Sequence, residues 1–397
     1  MNRKLIITTL DNQILSAVLE NDEVVELHCS DTETDSLIGN IYVGKVKNIV
    51  SNIHAAFIEI AGGQECYFDI RENPAPIFTH KLGKKPLCIG DELLVQVSKD
   101  AVKTKVPTVS SKLELTGKYA VLTSGDTRIG ASNKLLKNDR ERVISIAKQY
   151  ASEAYGIIMR TNAKEAEEAL LREEISGLIA EYQTIVAAGK TRVAYSCLRK
   201  SPKQYLLELQ NIYQDGLSEI VVEDFELFQE IERFLEQNQP EDLNKLRLYT
   251  DKRLPLHKLY SMEKHVEDAL RERVWMKSGA YLVIQPTEAL TVIDVNTGKS
   301  IDKKKKESVY FKINMEAAKE AARQIRLRNL SGIIIIDFIN LSDETLTTEL
   351  LHFLERELRK DPIATTLVDM TKLQLVEVTR KKIRKPFHEA FRNRGGL

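Results

Sequence analysis

Two aspartates, Asp294 and Asp337, stand at the ends of apolar runs: ALTVI leads into the first and IIII into the second. Each run reads as a strand, and a helical stretch, MEAAKEAARQIRLRN, lies between them. Strand, helix and strand in that order imply parallel pairing through a right-handed crossover. Ligands of α/β sheets collect at the carboxyl ends of the strands, so the carboxylates are expected at neighbouring strand ends. Such a pair suits one hard cation. Magnesium commonly binds through one or two carboxylates, with waters and substrate phosphates completing its shell, and manganese accepts the same oxygen ligands. Without a cation the two charges would repel and one would take up a proton. The competing reading is that each aspartate only ends a strand and starts a turn. Asn296, two residues beyond Asp294, shares its face of an extended segment and would orient an aspartate or a metal-bound water. Within Asn296-Thr297-Gly298 it is otherwise a turn residue.

Other motifs are weaker. Thr297-Gly298-Lys299-Ser300 resembles the tail of a phosphate-binding loop, but that motif needs a glycine at position 293, which is isoleucine. Arg160-Thr161 follows the strand-like run GIIM. An arginine fork beside a hydroxyl makes a clamp for a terminal phosphate; the alternative is a surface arginine in a turn. Basic runs at Lys303 to Lys306 and Arg380 to Lys385 flank the aspartate pair. Such runs are usually solvated faces, and this placement makes them candidates to meet phosphates. Cys29, Cys66, Cys88 and Cys197 form no CxxC pair and no zinc spacing with histidine; they read as reduced, mostly buried thiols.

The elements that position these residues follow from periodicity. Length predicts roughly two to four domains. Hydrophobic content of 43% and charged content of 29% are ordinary for a soluble chain. Lysine plus arginine equals aspartate plus glutamate at 58 each, which argues against a protein that coats nucleic acid by bulk charge. No apolar run suits a membrane span, and the start MNRKLIITTLDNQ reads as a strand rather than a signal peptide, so a cytoplasmic location is expected. Residues 1 to about 36 have hairpin and meander alternation. From Ile38 five short strands predict a small closed barrel of the OB type, a fold that often binds single-stranded nucleic acid. Phe57, Tyr67 and Phe68 lie on or beside those strands, either as core or as outward stacking platforms. Residues 119 to 204 mix strands and amphipathic helices, and from about 268 the pattern is α/β.

TVIDVNTGKS and AARQIRLRNLSGIIIIDFINL, with the weaker blocks GNIYVGKVKNI, AAFIEI, GKYAVL and GIIMRT, resemble the ribonuclease E/G family, close to the ribonuclease G type, over nearly the whole chain. That resemblance implies a multidomain α/β fold. An RNase H-like discontinuous domain (1–36 plus 205–267) is interrupted by an OB-type RNA-binding barrel (37–118) and a sensor of the RNA 5′ end (119–204). A DNase I-like catalytic domain (268–397) follows. It further implies that Asp294 and Asp337 ligate magnesium with Asn296 in support. Arg160 and Thr161 would bind a 5′-monophosphate in a pocket lined by Gly117 and Val121, and Phe57, Tyr67 and Lys105 would contact single-stranded RNA. The family usually has phenylalanine where Tyr67 stands, and a second aspartate where Asn340 stands. The run IDKKKKESVYFKIN replaces a usually neutral segment. A CPxC zinc link often follows the catalytic domain; here FRNRGGL stands instead, so zinc is not expected and a homodimer would lack that link. The expected activity is endonucleolytic cleavage of RNA in ribosomal RNA processing or messenger RNA decay. The alternatives are a non-catalytic RNA-binding protein that keeps the barrel and sensor, and a phosphatase or DNA nuclease on the same scaffold.

Overall fold

The computed structural model describes residues 2–31, 36–101, 105–212, 216–298, 306–382 and 384–391. Strands β1 (Arg3–Leu10), β2 (Gln13–Glu20) and β3 (Glu23–Asp31) form the predicted antiparallel meander. Both turns are tight two-residue connections. Asp11-Asn12 and Asn21-Asp22 all have positive φ, the conformation that matches strand twist in a hairpin and that Asn and Asp tolerate best.

Next come β4 (Ile41–Val50), β5 (Ala55–Glu59), β6 (Glu65–Asp69), β7 (Phe78–His80), β8 (Glu92–Lys99) and β9 (Thr108–Ser110). The pairings β4–β5–β6–β9–β8–β4 close a five-stranded barrel, with β6 and β9 parallel and the other pairs antiparallel. Inward alternation places Ile58, Cys66, Phe68, Leu93, Val95 and Val109 in one core. Phe68 is therefore core, and burial pushes the Cys66 thiol up to about 12. The four cysteines are free, but only Cys66 is buried; Cys29 and Cys88 are partly exposed and Cys197 is exposed. The expectation of mostly buried thiols is corrected accordingly.

A second sheet follows: β10 (Glu114–Thr116), β11 (Ala120–Ser124), β12 (Ile129–Ala131) and β13 (Tyr155–Met159), in the order β10-β11-β13-β12. Helices α1 (Lys137–Lys148) and α2 (Glu168–Thr191) bury Val143, Ile146, Leu171 and Ile175 with Leu115, Leu122 and Ile157. A short β14 (Cys197–Arg199) pairs with β4, and α3 (Gln204–Asn211) closes this part of the chain.

The chain then returns to the first sheet. β15 (Leu217–Val222) pairs parallel with β1. Helix α4 (Phe225–Asn238), capped by the Asp224 side chain on the Leu227 amide, crosses over to β16 (Leu246–Leu248), parallel to β15. The sheet order is β16-β15-β1-β2-β3. Contacts divide the chain into two units, residues 1–33 with 214–397, and residues 34–213. In the first unit α5 (Leu256–Leu259) and α6 (Met262–Leu270) bury Leu256, Met262 and Val266 with Ile6 and Leu27 of the meander.

The remaining elements are β17 (Arg273–Trp275), β18 (Tyr281–Pro286), β19 (Leu290–Asn296), α7 (Lys306–Leu327), β20 (Gly332–Asp337), α8 (Glu344–Leu358), β21 (Thr365–Met370), β22 (Leu375–Arg380) and α9 (Phe387–Ala390). They build a six-stranded sheet in the order β17-β18-β19-β20-β22-β21. β19 and β20 are parallel, as strand-helix-strand order predicts. The next strand-helix-strand step gives no parallel pair: β21 does not lie beside β20. A hairpin closed by the Thr371 amide on the Leu375 carbonyl (2.8 Å) returns β22 between them, antiparallel to both. The reason lies in burial, since β22 brings Val376 and Val378 to the core whereas β21 carries none of the fully buried side chains. One face of this sheet is covered. Ile293, Val295, Ile334 and Ile336 pack with Ala317, Ala321 and Ile325 of α7 and Leu350 and Leu354 of α8.

Candidate active site

The opposite face of the six-stranded sheet carries the two aspartates. Alternation along VIDVN and IIIID sends Ile293, Val295, Ile334 and Ile336 inward and puts Asp294, Asn296 and Asp337 on the other face, beside Val292, Ile333 and Ile335. Asp294 and Asp337 are direct register partners on the parallel pair β19–β20, and both are half-buried. Asn296 donates from Nδ2 to Oδ2 of Asp294 at 2.7 Å. Burial raises the Asp337 carboxyl above the usual carboxylate range, and the Asp294 charge raises it further. A partly desolvated carboxylate pair of this kind is relieved by a cation. Among the described residues no cluster of three or more His, Cys, Asp or Glu completes a metal cage. Two carboxylates with an amide beside them match the sparse protein ligation that magnesium accepts, not a closed four-ligand zinc site.

Backbone supports hold the strand ends. Asn314 of α7 is fully buried; it donates to the Ile339 carbonyl at 2.7 Å and accepts from the Ile339 amide at 3.1 Å. That pair of hydrogen bonds holds the chain just after Asp337. After Asn296 the backbone passes over the turn between β17 and β18. Gly298 has φ +71°, and a Cβ there would stand 2.1 Å from the Gly279 carbonyl oxygen. Glu316 of α7 accepts from the Lys277 amide of the same turn at 2.8 Å.

The second unit holds the other candidates. Arg160, after β13, donates to the Gly117 carbonyl at 2.5 Å, to the Gln210 carbonyl at 3.2 Å and to Asn211 Oδ1 at 2.7 Å. Burial lowers its pKa, and Glu174 opposes that. Glu174 itself accepts from the amides of Lys118, Tyr119 and Ala120 at 2.7–2.8 Å. Thr161 donates to Ser132 Oγ at 3.0 Å. Gly117 thus meets Arg160 directly. Val121 lies mid-strand on β11, paired with Thr116 and Ile158. On the barrel Phe57 and Tyr67 are cross-strand partners, edge to face with centroids 6.4 Å apart, on the side opposite the core. Lys105 is exposed, close in sequence to Pro107, whose carbonyl accepts from the Tyr67 amide at 2.8 Å.

A sequence model of the Ribonuclease E/G family matches residues 114–383. The chain belongs to that family. Ribonuclease G of Escherichia coli is 30% identical over 404 aligned residues, covering 99% of this chain and 82% of the relative. Ribonuclease G of Haemophilus influenzae is 28% identical, covering 96% and 80%. Ribonuclease E of Nostoc is 29% identical, covering 98% of this chain and 57% of that longer relative.

Two arginines of AARQIRLRN, Arg326 and Arg328, are architectural in this ribonuclease E/G family member. Arg326 joins Glu20 and Glu26 of the meander, and Arg328 donates to the Arg271 and Asp268 carbonyls. Arg380, read from sequence as part of a phosphate-meeting run, is buried. It pairs with Asp361 at 2.7 Å and donates to Asn329 at 2.6 Å, so it is unavailable to phosphate. Lys303 to Lys305 lie outside the described residues, as does the Lys306 side chain. Asn340 is exposed. Asn314, Glu316 and Glu174 were not legible as site residues, because an apolar helix face shows that a residue is inside but not which backbone group it meets. No helix among the described residues is long and apolar enough to cross a membrane.

Gly298→Ala tests the support beneath Asn296. Positive φ alone costs about 1–3 kcal/mol for a strained residue, and the backbone oxygen cannot swing aside as a side chain would. Turnover is expected to fall on the order of 100-fold, the scale that ångström-sized misplacement produces. Circular dichroism distinguishes that loss from global unfolding.

Proposed function

We propose that this chain is an endoribonuclease that cleaves single-stranded RNA with magnesium held by Asp294 and Asp337. The carrying observation is the register pairing of these carboxylates on adjacent parallel strands, in a chain of the ribonuclease E/G family. The bound ion, magnesium or manganese, would supply Lewis-acid polarisation of the scissile phosphate and acidify an attacking water. Asn296 holds the Asp294 oxygen by its amide and keeps one carboxylate rotamer. Asn314 holds the backbone beyond Asp337. Products would carry 5′-phosphate and 3′-hydroxyl ends.

The rest of the reading assigns roles to parts. The barrel is an OB-type RNA holder, with Phe57 and Tyr67 as stacking faces and Lys105 as a phosphate contact. Residues 119–204 form a 5′-end sensor, with Arg160 and Thr161 taking a 5′-monophosphate beside Gly117 and Val121. Residues 1–36 with 205–267 are RNase H-like and residues 268–397 DNase I-like. Ribosomal RNA precursors and messenger RNA are the substrates in the cytoplasm.

The test is incubation with an A/U-rich single-stranded RNA bearing 5′-monophosphate, in magnesium and in EDTA, beside DNA and phosphomonoester controls. Internal RNA cleavage that stops in EDTA is the expected result. Tight RNA binding without cleavage in magnesium or manganese would instead favour a binding-only protein. The same RNA with a 5′-triphosphate should be cut several-fold more slowly, and Arg160→Ala should remove the difference. Equal rates for both ends in the wild type would remove the sensor.

A further inference from the structure

Beside the carboxylates, on the same sheet face, lies an aromatic cluster that the mechanism above does not use. Register alone places it there. Trp275 pairs with Tyr281, Tyr281 with Asn296, and Asp294 with Asp337, and directly paired residues share a sheet face. Trp275 and Tyr281 have ring centroids 4.9 Å apart. The Arg273 guanidinium lies 4.6 Å from the Tyr281 centroid and 5.8 Å from that of Trp275.

Trp275 is 61% exposed, although tryptophan is among the costlier side chains to leave in water. Its core-facing neighbours Leu282 and Ile284 on β18 are fully buried, so the ring is turned away from the core by the strand pattern. Strands lie about 4.8 Å apart and rise about 3.4 Å per residue, so Trp275, two strands over and level with Asn296, lies roughly 12 Å from Asp294. An extended nucleic-acid strand covers that distance in a nucleotide or two.

We propose that Trp275, Tyr281 and Arg273 form a base-stacking subsite for the nucleotide flanking the cleaved bond. The Trp275 ring offers a π-face to any base, which gives affinity with little sequence readout. Arg273 holds the platform by cation–π contact and sets positive charge beside the passing backbone. The subsite rests on the endoribonuclease reading, since that reading puts a phosphodiester at the carboxylate pair.

Trp275 is the chain's single tryptophan, so intrinsic tryptophan emission reports from this place alone. The experiment titrates full-length protein in EDTA with a labelled single-stranded RNA oligonucleotide, following tryptophan emission and RNA anisotropy together. A matched set of oligonucleotides carries one abasic position, moved along the strand. Emission should change on saturation with intact RNA, and one abasic position near the cleavage site should abolish the change. Trp275→Ala should raise KM in magnesium roughly ten-fold or more with kcat nearly unchanged, and Trp275→Phe should recover most of the loss. RNA that binds and is cleaved while emission stays constant, or a wild-type KM in Trp275→Ala, overturns the subsite and leaves the endoribonuclease reading standing. Failure of the wild type either to bind or to cleave RNA overturns both.

Discussion

Asp337→Asn and Asp294→Asn should each abolish RNA cleavage, by at least about three orders of magnitude, while leaving the fold intact. The kinetic part follows from removing one of two carboxylates that would hold the ion, whose charge stabilisation is worth several kcal/mol, with about 1.4 kcal/mol for each factor of ten. The stability part runs in the opposite direction from most substitutions of half-buried charge. Asp337 is penalised by burial and by the Asp294 charge, so its ionised form costs the metal-free fold free energy at neutral pH. The isosteric amide removes that charge without changing shape. In EDTA, the Asp337→Asn melting temperature should equal or exceed that of the wild type; with saturating magnesium the order should reverse, because only the wild type retains both carboxylates. RNA affinity measured in EDTA should survive both substitutions. Substantial cleavage by either variant would move the active site elsewhere.

The second large effect concerns stability alone. Arg326→Leu should destabilise the first unit by about 3–5 kcal/mol, the cost of breaking a buried ion pair by removing one partner. Arg326 contacts Glu26 at 2.6 Å and Glu20 at 2.9 Å, and its side chain is only 8% exposed. Burial alone would raise the Glu26 carboxyl. Arg326 and His28 together outweigh it and hold that carboxyl well below the usual carboxylate range. A depressed folded-state pKa contributes stability that is complete above the unfolded value of about 4.3 and is lost as pH falls toward the folded value. The wild type should therefore lose this contribution progressively in acid. In Arg326→Leu, Glu20 keeps its ion pair with Arg3, but buried Glu26 is left with only His28, and protonation of Glu26 relieves it. The difference in melting temperature between wild type and variant should thus narrow from pH 7 to pH 4. A difference independent of pH would mean that lost packing, not charge, dominates.

The catalytic candidates were legible because their chemistry coincides with a local pattern. Strand runs ending in aspartate, separated by one helix, predict neighbouring carboxylates, and the β19–β20 register places them together. The barrel strands and the alternation of the meander were readable for the same local reason. What the sequence hid was non-local. Nothing in LQLVEVTR says that β22 inserts between β20 and β21, since a hairpin and a crossover compete for the same central position. Arg380 and Arg326 look like surface charge until Asp361, Glu20 and Glu26 arrive from distant segments. Trp275 escaped notice because a three-residue edge strand has too little alternation to declare its outward face.

The parallel pairing of β1 with β15 has a consequence for synthesis on the ribosome. The N-terminal meander emerges first, yet the strand that covers the β1 edge follows only after residues 34–213, which form a unit of their own. That intervening unit can finish folding while the meander still waits, since domains generally fold as units in order of synthesis. During the delay β1 presents an open edge able to recruit a foreign strand. Rapid completion of the nascent chain, or a chaperone at the exit tunnel, would protect the first unit more than the second.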